Sequence, residues 1–311
     1  MIVSASRRTD IPNYYADWFF ERIKEGFCYV RNPMNPHQVS EIPLTPEVVD
    51  CIVFWTKNPE PMLARLAELQ EYSYYFQFTL TGYGKDIEPG VPHKKERMLA
   101  VFKELSEKIG PERVIWRYDP IFFHDVYTPD YHERAFSQIA EELSGYTKKC
   151  VISFVDYYAK NRKNLQELGI REPKQEELRQ FAKNLSRIAK ENGMRIASCA
   201  EEIDLSDCGI EKNSCIDKEL IEKLTGGRIL AGKDKNQRTA CGCVESVDIG
   251  SYHTCLNGCK YCYANYSREN AWKNHEKYDM FSPLLCDFLK KENRITKRKV
   301  KSLRDGQLRM E

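Results

Sequence analysis

The sequence predicts an α/β protein, a full or partial (β/α) barrel with a cysteine-rich C-terminal region. Three observations lead there. Six short runs rich in β-branched and aromatic residues recur through the first two-thirds of the chain. Amphipathic helical stretches separate them, and apolar strands alternating with such helices mark a parallel sheet covered by its own crossovers. Eight of the twelve cysteines then crowd between Cys199 and Cys262. We divide the chain into a core over 1–200 and a cysteine-rich region over 201–311 that completes the barrel, the two forming one integrated domain.

The strands are expected at Ile2–Ser6, Cys51–Thr56, Tyr74–Thr81, Val114–Tyr118, Cys150–Val155 and Arg195–Cys199. Between them, Met98, Phe102, Leu105 and Ile109 recur at helical steps until Gly110-Pro111 stops them. Phe136, Ile139, Ala140 and Leu143 repeat the pattern before Gly145, as do Leu178, Phe181, Leu185 and Ile188 before Gly193. One insert breaks the rhythm. Phe27–Arg31 and Gln38–Leu44 flank Asn-Pro-Met-Asn-Pro, which reads as a hairpin or a loop with two prolines. Lys290–Arg309 is basic and is expected to be an exposed tail.

Charge and hydropathy narrow the function classes. The net charge is +2 with 30% charged residues, so neither a polyanion nor a membrane surface is selected as partner. Nucleic acid stays open as a partner without being indicated by that charge. No apolar run approaches the ~20 residues of a membrane span, and the N-terminal residues lack the apolar region of a signal peptide. A cytoplasmic location is therefore expected. Clustered cysteines in that compartment point to metal or redox chemistry. Cys28, Cys51 and Cys150 lie in or beside apolar runs and read as buried small hydrophobes.

The sharpest motif is Cys-Leu-Asn-Gly-Cys-Lys-Tyr-Cys, placing Cys255, Cys259 and Cys262 at C-x3-C-x2-C spacing. Such a loop can aim three thiolates at one centre, and iron–sulfur clusters are held by thiolates. No fourth local cysteine follows, so a [4Fe–4S] cluster here would keep one iron open. Gly258 permits a turn that a Cβ would hinder. The competing ligand is zinc, which wants four protein ligands in a structural site; His253 or Cys243 could supply the fourth. A second group offers five cysteines for four positions. Cys199, Cys215, Cys241 and Cys243 are the expected set, an auxiliary cluster or a zinc site, with Cys208 as the spare.

Parallel barrels gather chemistry at the C-terminal ends of their strands. Those ends carry Ser6, Arg7, Arg8, Thr9 and Asp10; Trp55, Thr56, Lys57 and Asn58; Thr79, Thr81 and Tyr83; Arg117, Tyr118 and Asp119; Asp156 and Tyr157; and Cys199, Glu201 and Glu202. Such groups buried unpaired would be costly. Either mutual Arg–carboxylate pairing closes the barrel top, or a ligand satisfies them.

With Tyr261 directly before its last cysteine, the C-x3-C-x2-C run resembles the cluster loop of radical S-adenosylmethionine enzymes. The resemblance implies that the open iron chelates S-adenosylmethionine, that an electron cleaves the sulfonium, and that a 5′-deoxyadenosyl radical abstracts hydrogen from substrate. It implies a reductant such as flavodoxin or ferredoxin, and cofactor binding by Arg7, Asp10, Trp55, Lys57, Arg117 and Asp119. In those enzymes the loop follows the first barrel strand, whereas here it follows Ser246–Tyr252. The first and last strands of a barrel are neighbours, so a circularly permuted barrel is expected, with Val247–Tyr252 beside Ile2–Ser6 and a helix from Ala264 to Lys277. The glycine-glycine-glutamate motif of that superfamily is not evident; Thr225-Gly-Gly-Arg228 is nearest. Nearly the whole chain also resembles an uncharacterised bacterial family. The carrying segments are Ser-Ala-Ser-Arg-Arg-Thr-Asp-Ile-Pro (4–12), Val-Phe-Trp-Thr-Lys-Asn-Pro (53–59), Lys-Asn-Gln-Arg (235–238) leading to Cys-Gly-Cys (241–243), Asp-Ile-Gly-Ser-Tyr (248–252) and Cys-Tyr-Ala-Asn (262–265). The expected function is an iron–sulfur radical enzyme of unknown substrate, with nucleobase repair and small-molecule modification as candidates. The rival is a zinc-stabilised barrel that binds a ligand without turnover.

Overall fold

The computed structural model describes residues 1–156, 161–201 and 203–305. Its strands are β1 (Ile2–Ala5), β2 (Phe27–Asn32), β3 (Asn35–Pro43), β4 (Cys51–Thr56), β5 (Tyr74–Thr79) and β6 (Val114–Ile121). They continue with β7 (Lys149–Phe154), β8 (Arg195–Cys199), β9 (Glu211–Asn213), β10 (Val247–Asp248) and β11 (Arg294–Lys297). The helices are α1 (Ile11–Tyr14), α2 (Ala16–Glu25), α3 (Leu99–Ile109), α4 (Pro129–Glu142), α5 (Arg162–Glu167), α6 (Gln175–Glu191), α7 (Lys218–Thr225) and α8 (Arg268–His275). A 3-10 helix covers Glu60–Leu69.

Eight strands form one parallel sheet in the order β10-β1-β4-β5-β6-β7-β8-β9. All six strands expected in the core are there, in sequence order. The C-terminal region adds the two outermost strands. β10 lies parallel to β1, with Val3 opposite Val247 and Ser4 opposite Asp248. The segment expected beside the first strand is therefore beside it, although only two of its residues are strand. Asp248 ends the ladder because its carboxylate turns to Ser4 Oγ (2.6 Å), Ser6 Oγ (2.7 Å) and the backbone N–H groups of Arg7 (2.8 Å) and Gly250 (3.0 Å).

Strand alternation sorts the core into two faces. Val3, Ala5, Ile52, Phe54, Phe76, Phe78, Trp116, Tyr118 and Ile152 pack with the helical layer. Ile2, Val53, Tyr75, Ile115 and Val151 point the other way and pack with Cys215, Ile216, Ile221, Ile229 and Val244. The chain between 215 and 244 thus covers the second face. The insert is an antiparallel hairpin of β2 and β3. Part of the expected tail is ordered against it: β11 runs parallel to β3 with its four residues exposed.

Several boundaries differ from expectation. The third strand stops at Thr79 instead of Thr81, and the fourth continues past Tyr118 to Ile121. The expected helix over 264–277 shrinks to α8, because Ser267 caps it by accepting from Asn270 N–H at 3.1 Å. Tyr157, Glu202 and residues 306–309 of the expected tail lie outside the described residues. Among the described residues, no helix is long and apolar enough to cross a membrane.

Candidate functional site

The cysteine loop sits where β10 and β1 end, and three anchors hold it there. Asn257 Nδ2 donates to Asp10 Oδ2 at 3.0 Å, while Asn257 Oδ1 accepts from Tyr14 OH at 3.0 Å. Lys260 N–H donates to Ile87 O at 3.0 Å, and Tyr261 OH donates to Glu88. Behind the loop, Asn265 Nδ2 donates to Cys255 O at 2.6 Å, and Ala264 N–H donates to Cys262 Sγ at 3.3 Å. Gly258 has φ +66°, so the turn uses the left-handed region that glycine tolerates. Burial pushes the Cys255 thiol up and pushes Cys259 up to about 12, with Lys57 pulling Cys259 the other way.

Asp10 and Lys57 lie at this loop. Asp10 is buried and also accepts from Lys57 N–H (2.8 Å) and Asn13 N–H (3.2 Å), so it joins β1, β4, α1 and the loop. Burial raises its pKa against these hydrogen bonds. Lys57 Nζ donates to Glu88 Oε1 at 2.7 Å and lies 5.6 Å from the centre of the Tyr261 ring. Lys94 contacts the other oxygen of Glu88. Burial alone would raise Glu88, but the two ammonium groups outweigh it and hold the carboxylate at about 2.

The other four expected cofactor residues gather on the second face. Arg117 and Asp119 form an ion pair, with Arg117 Nε 3.0 Å from Asp119 Oδ1. Arg117 Nη1 also donates to Gln77 Oε1 (3.2 Å) and Cys215 Sγ (2.8 Å). Arg7 stacks over Trp55 at 5.1 Å, reaches Asp234 at 4.0 Å, and leaves its buried Nη2 without a partner. The expected cofactor set is thus split between the cysteine loop and a second cysteine group.

That second group is a chain of sulfur contacts. Cys199 Sγ lies 3.1 Å from Cys215 Sγ; Cys215 also contacts Cys243, and Cys243 contacts Cys241. Hydrogen bonds from Cys199 and Cys243 hold Cys215 well below the ordinary thiol range against burial, with Arg117 and Arg7 adding positive charge. Its hydrogen bond with Cys243 lowers Cys241 from the ordinary thiol range against burial. Cys208 lies apart, directed at Arg179 O and Asp207. Cys243, weighed as a fourth ligand for the loop triad, belongs to this group instead. His253 stacks on Tyr266 with ring centres 4.5 Å apart. All twelve cysteines are free thiols. Among the described residues, no three His, Cys, Asp or Glu side chains converge as a single metal ion requires.

A cavity of about 570 Å³ opens beside the loop, lined by Thr81, Tyr83, Lys85, Glu88, Lys94 and Tyr131 among others. Its size suits a small organic ligand. Sequence reasoning missed Glu88, Lys94 and Asn257. Glu88 lies in an irregular loop with no periodicity to mark it, and Asn257 gains meaning only once Asp10 is seen beside it. Glu201, at the end of the sixth core strand, accepts from Phe154 N–H at 2.8 Å, and burial pushes it up to about 7.

A search of curated proteins finds no match to this sequence. A family model described as a domain of unknown function (DUF1848) matches residues 2–264, nearly the full length, and the chain belongs to that family.

Proposed function

We propose that this protein is a cytoplasmic iron–sulfur enzyme of the radical S-adenosylmethionine type, built on a circularly permuted, partial (β/α) barrel. The observation that carries the reading is the docking of the C-x3-C-x2-C loop at the C-terminal end of β1, reached from β1's parallel neighbour β10. Neighbouring strands at the permuted ends support the barrel relation, and the cover from 215 to 244 occupies the face that a barrel turns inward. Cys255, Cys259 and Cys262 would hold the cluster. In a cubane each thiolate binds a different iron, so a fitting triad need not converge on one point. When bound, a [4Fe–4S] cluster with one open iron supplies the electron that cleaves S-adenosylmethionine to a 5′-deoxyadenosyl radical.

The residues around the loop suit that cofactor. Lys57 and Lys94 share the single charge of Glu88, leaving a net positive charge beside Cys259 for a carboxylate. Tyr261 and Tyr83 present aromatic surface next to the cavity that holds substrate. A flavodoxin or ferredoxin is the electron donor. The experiment is anaerobic reconstitution followed by dithionite and S-adenosylmethionine. Deoxyadenosine release is expected from the native chain and from Cys208→Ala, and none from Cys259→Ala. A colourless protein that binds only zinc and releases no deoxyadenosine would establish the zinc-stabilised binding barrel instead.

A further inference from the structure

We propose that Cys199 and Cys215 are a redox-active dithiol, a thiol–disulfide exchange site that closes reversibly to a disulfide on reaction with a low-molecular-weight disulfide. The proposal goes beyond the radical reading and stands without it.

Two adjacent strands bring the pair together. Cys199 ends β8 and stands opposite Asn213, the last residue of the parallel strand β9, and Cys215 lies two residues further on. The two sulfurs are 3.1 Å apart, in direct contact, and both are free thiols. A disulfide holds its sulfurs ~2.05 Å apart, so closure asks for a movement of about 1 Å. The backbone there is held from the sheet below: Tyr75 OH (2.6 Å) and Gln77 Nε2 (3.0 Å) both donate to Cys215 O. Cys243, the neighbouring thiol, accepts from Ile216 N–H at 3.3 Å, which ties its sulfur to the backbone. Among the described residues, no third Cys, His, Asp or Glu completes a metal-binding set with the pair.

The surroundings divide the roles. Cys215 is buried, and two side chains donate to its sulfur: Arg117 Nη1 at 2.8 Å and Asn213 Nδ2 at 3.3 Å. A thiol sulfur is a weak acceptor, whereas a neighbouring cation favours the thiolate. Cys215 is therefore the thiolate of the pair, and Cys199 donates its proton to it across the 3.1 Å contact. Cys199 is partly exposed, so an incoming disulfide meets Cys199 first.

The exchange runs through a mixed disulfide. Cys199 Sγ attacks one sulfur of the disulfide RSSR while its proton passes to Cys215. The Cys199–S–SR bond forms, the S–S bond of RSSR breaks, and RS⁻ departs. Cys215 Sγ then attacks the Cys199 sulfur and gives up the proton, so the second RS⁻ leaves as RSH. Two electrons pass from the cysteine pair to RSSR, which ends as one thiolate and one thiol. The new bond ties the end of β8 to the start of the 215–244 cover, and it removes the anionic sulfur that Arg117 faces. Excess RSH reverses both steps.

The test is thiol counting with non-reducing peptide mapping of the full chain, purified in reduced form and incubated anaerobically with glutathione disulfide. The triple variant Cys255→Ser, Cys259→Ser, Cys262→Ser, which removes the partly exposed loop thiols, should lose two thiols per chain, with the Cys199–Cys215 link as product. Excess reduced glutathione should restore both. Cys215→Ser should stop with one glutathione on Cys199, and Cys199→Ser should leave Cys215 unmodified. Mapping of the native chain should find the same Cys199–Cys215 link, a readout independent of whether any variant folds. A Cys215–Cys243 link, glutathione retained on Cys199 of the native chain without closure, or no thiol lost would each overturn the proposal. A chain that forms the link but releases no deoxyadenosine would instead defeat only the radical reading.

Discussion

Glu88 shows most clearly how one buried side chain organises the loop. It is fully buried, yet it stays ionised because Lys57 and Lys94 flank it. Its carboxylate is held at about 2, below the ordinary 4.5, so the folded state binds the proton less readily than the unfolded chain. The stabilisation is therefore complete above pH 4.5 and is lost as pH falls toward 2. Glu88→Gln leaves two ammonium groups without a counterion and should destabilise the protein by ~3 kcal/mol at pH 7. Denaturant titrations at pH 7 and pH 3 should show that penalty shrinking in acid; an equal penalty at both would contradict the pairing.

Glu201 has the opposite sign. Burial pushes it up to about 7, so the folded state holds its proton more tightly and stability falls as pH rises from 4.5 through 7. Glu201→Gln should therefore narrow the stability gap between pH 5 and pH 8, by up to ~3 kcal/mol. Thermal unfolding at the two pH values checks this, and an unchanged gap would count against it. The cysteine groups were legible in the sequence because cysteine spacing carries its own meaning. Glu88 was not, since its role depends on Lys57 and Lys94 brought in by folding.

Among the elements, the pairing of β10 with β1 matters most, because it delivers the cysteine loop to its place. β10 is only two residues long, so its register rests on Asp248 and on the close approach of Gly250 to Ser6. A Cβ on Gly250 would lie 2.1 Å from Ser6 Oγ. Gly250→Ala should force the strands apart, cost ~1–3 kcal/mol, and raise the alkylation rate of Cys255, Cys259 and Cys262. Unchanged stability and unchanged alkylation would show that the loop is held independently of this strand. The six core strands were readable from their apolar runs and stopping glycines. β9, a short Glu-Lys-Asn edge, has no apolar pattern, and β11 is polar and exposed, so each reads as loop or tail until its partner is seen.

For the molecule as a whole, the sequence indicated a parallel α/β fold but not how its second face is covered. That cover comes from 215–244, where the helical pattern of Ile216, Leu220, Ile221 and Leu224 makes one short helix, α7, and the rest is irregular. It also divides the cysteines into two groups with different surroundings, the loop triad beside Lys57 and the quartet beside Arg117 and Arg7. The central claim is that the triad holds an open-iron cluster. Iron and acid-labile sulfide analysis of the anaerobically reconstituted chain, with its visible absorption, tests this most directly. The account predicts about four irons and about four sulfides per chain, with broad absorption bleached by dithionite and lost in the triad variant. A colourless protein, or iron binding that survives removal of Cys255, Cys259 and Cys262, would contradict it.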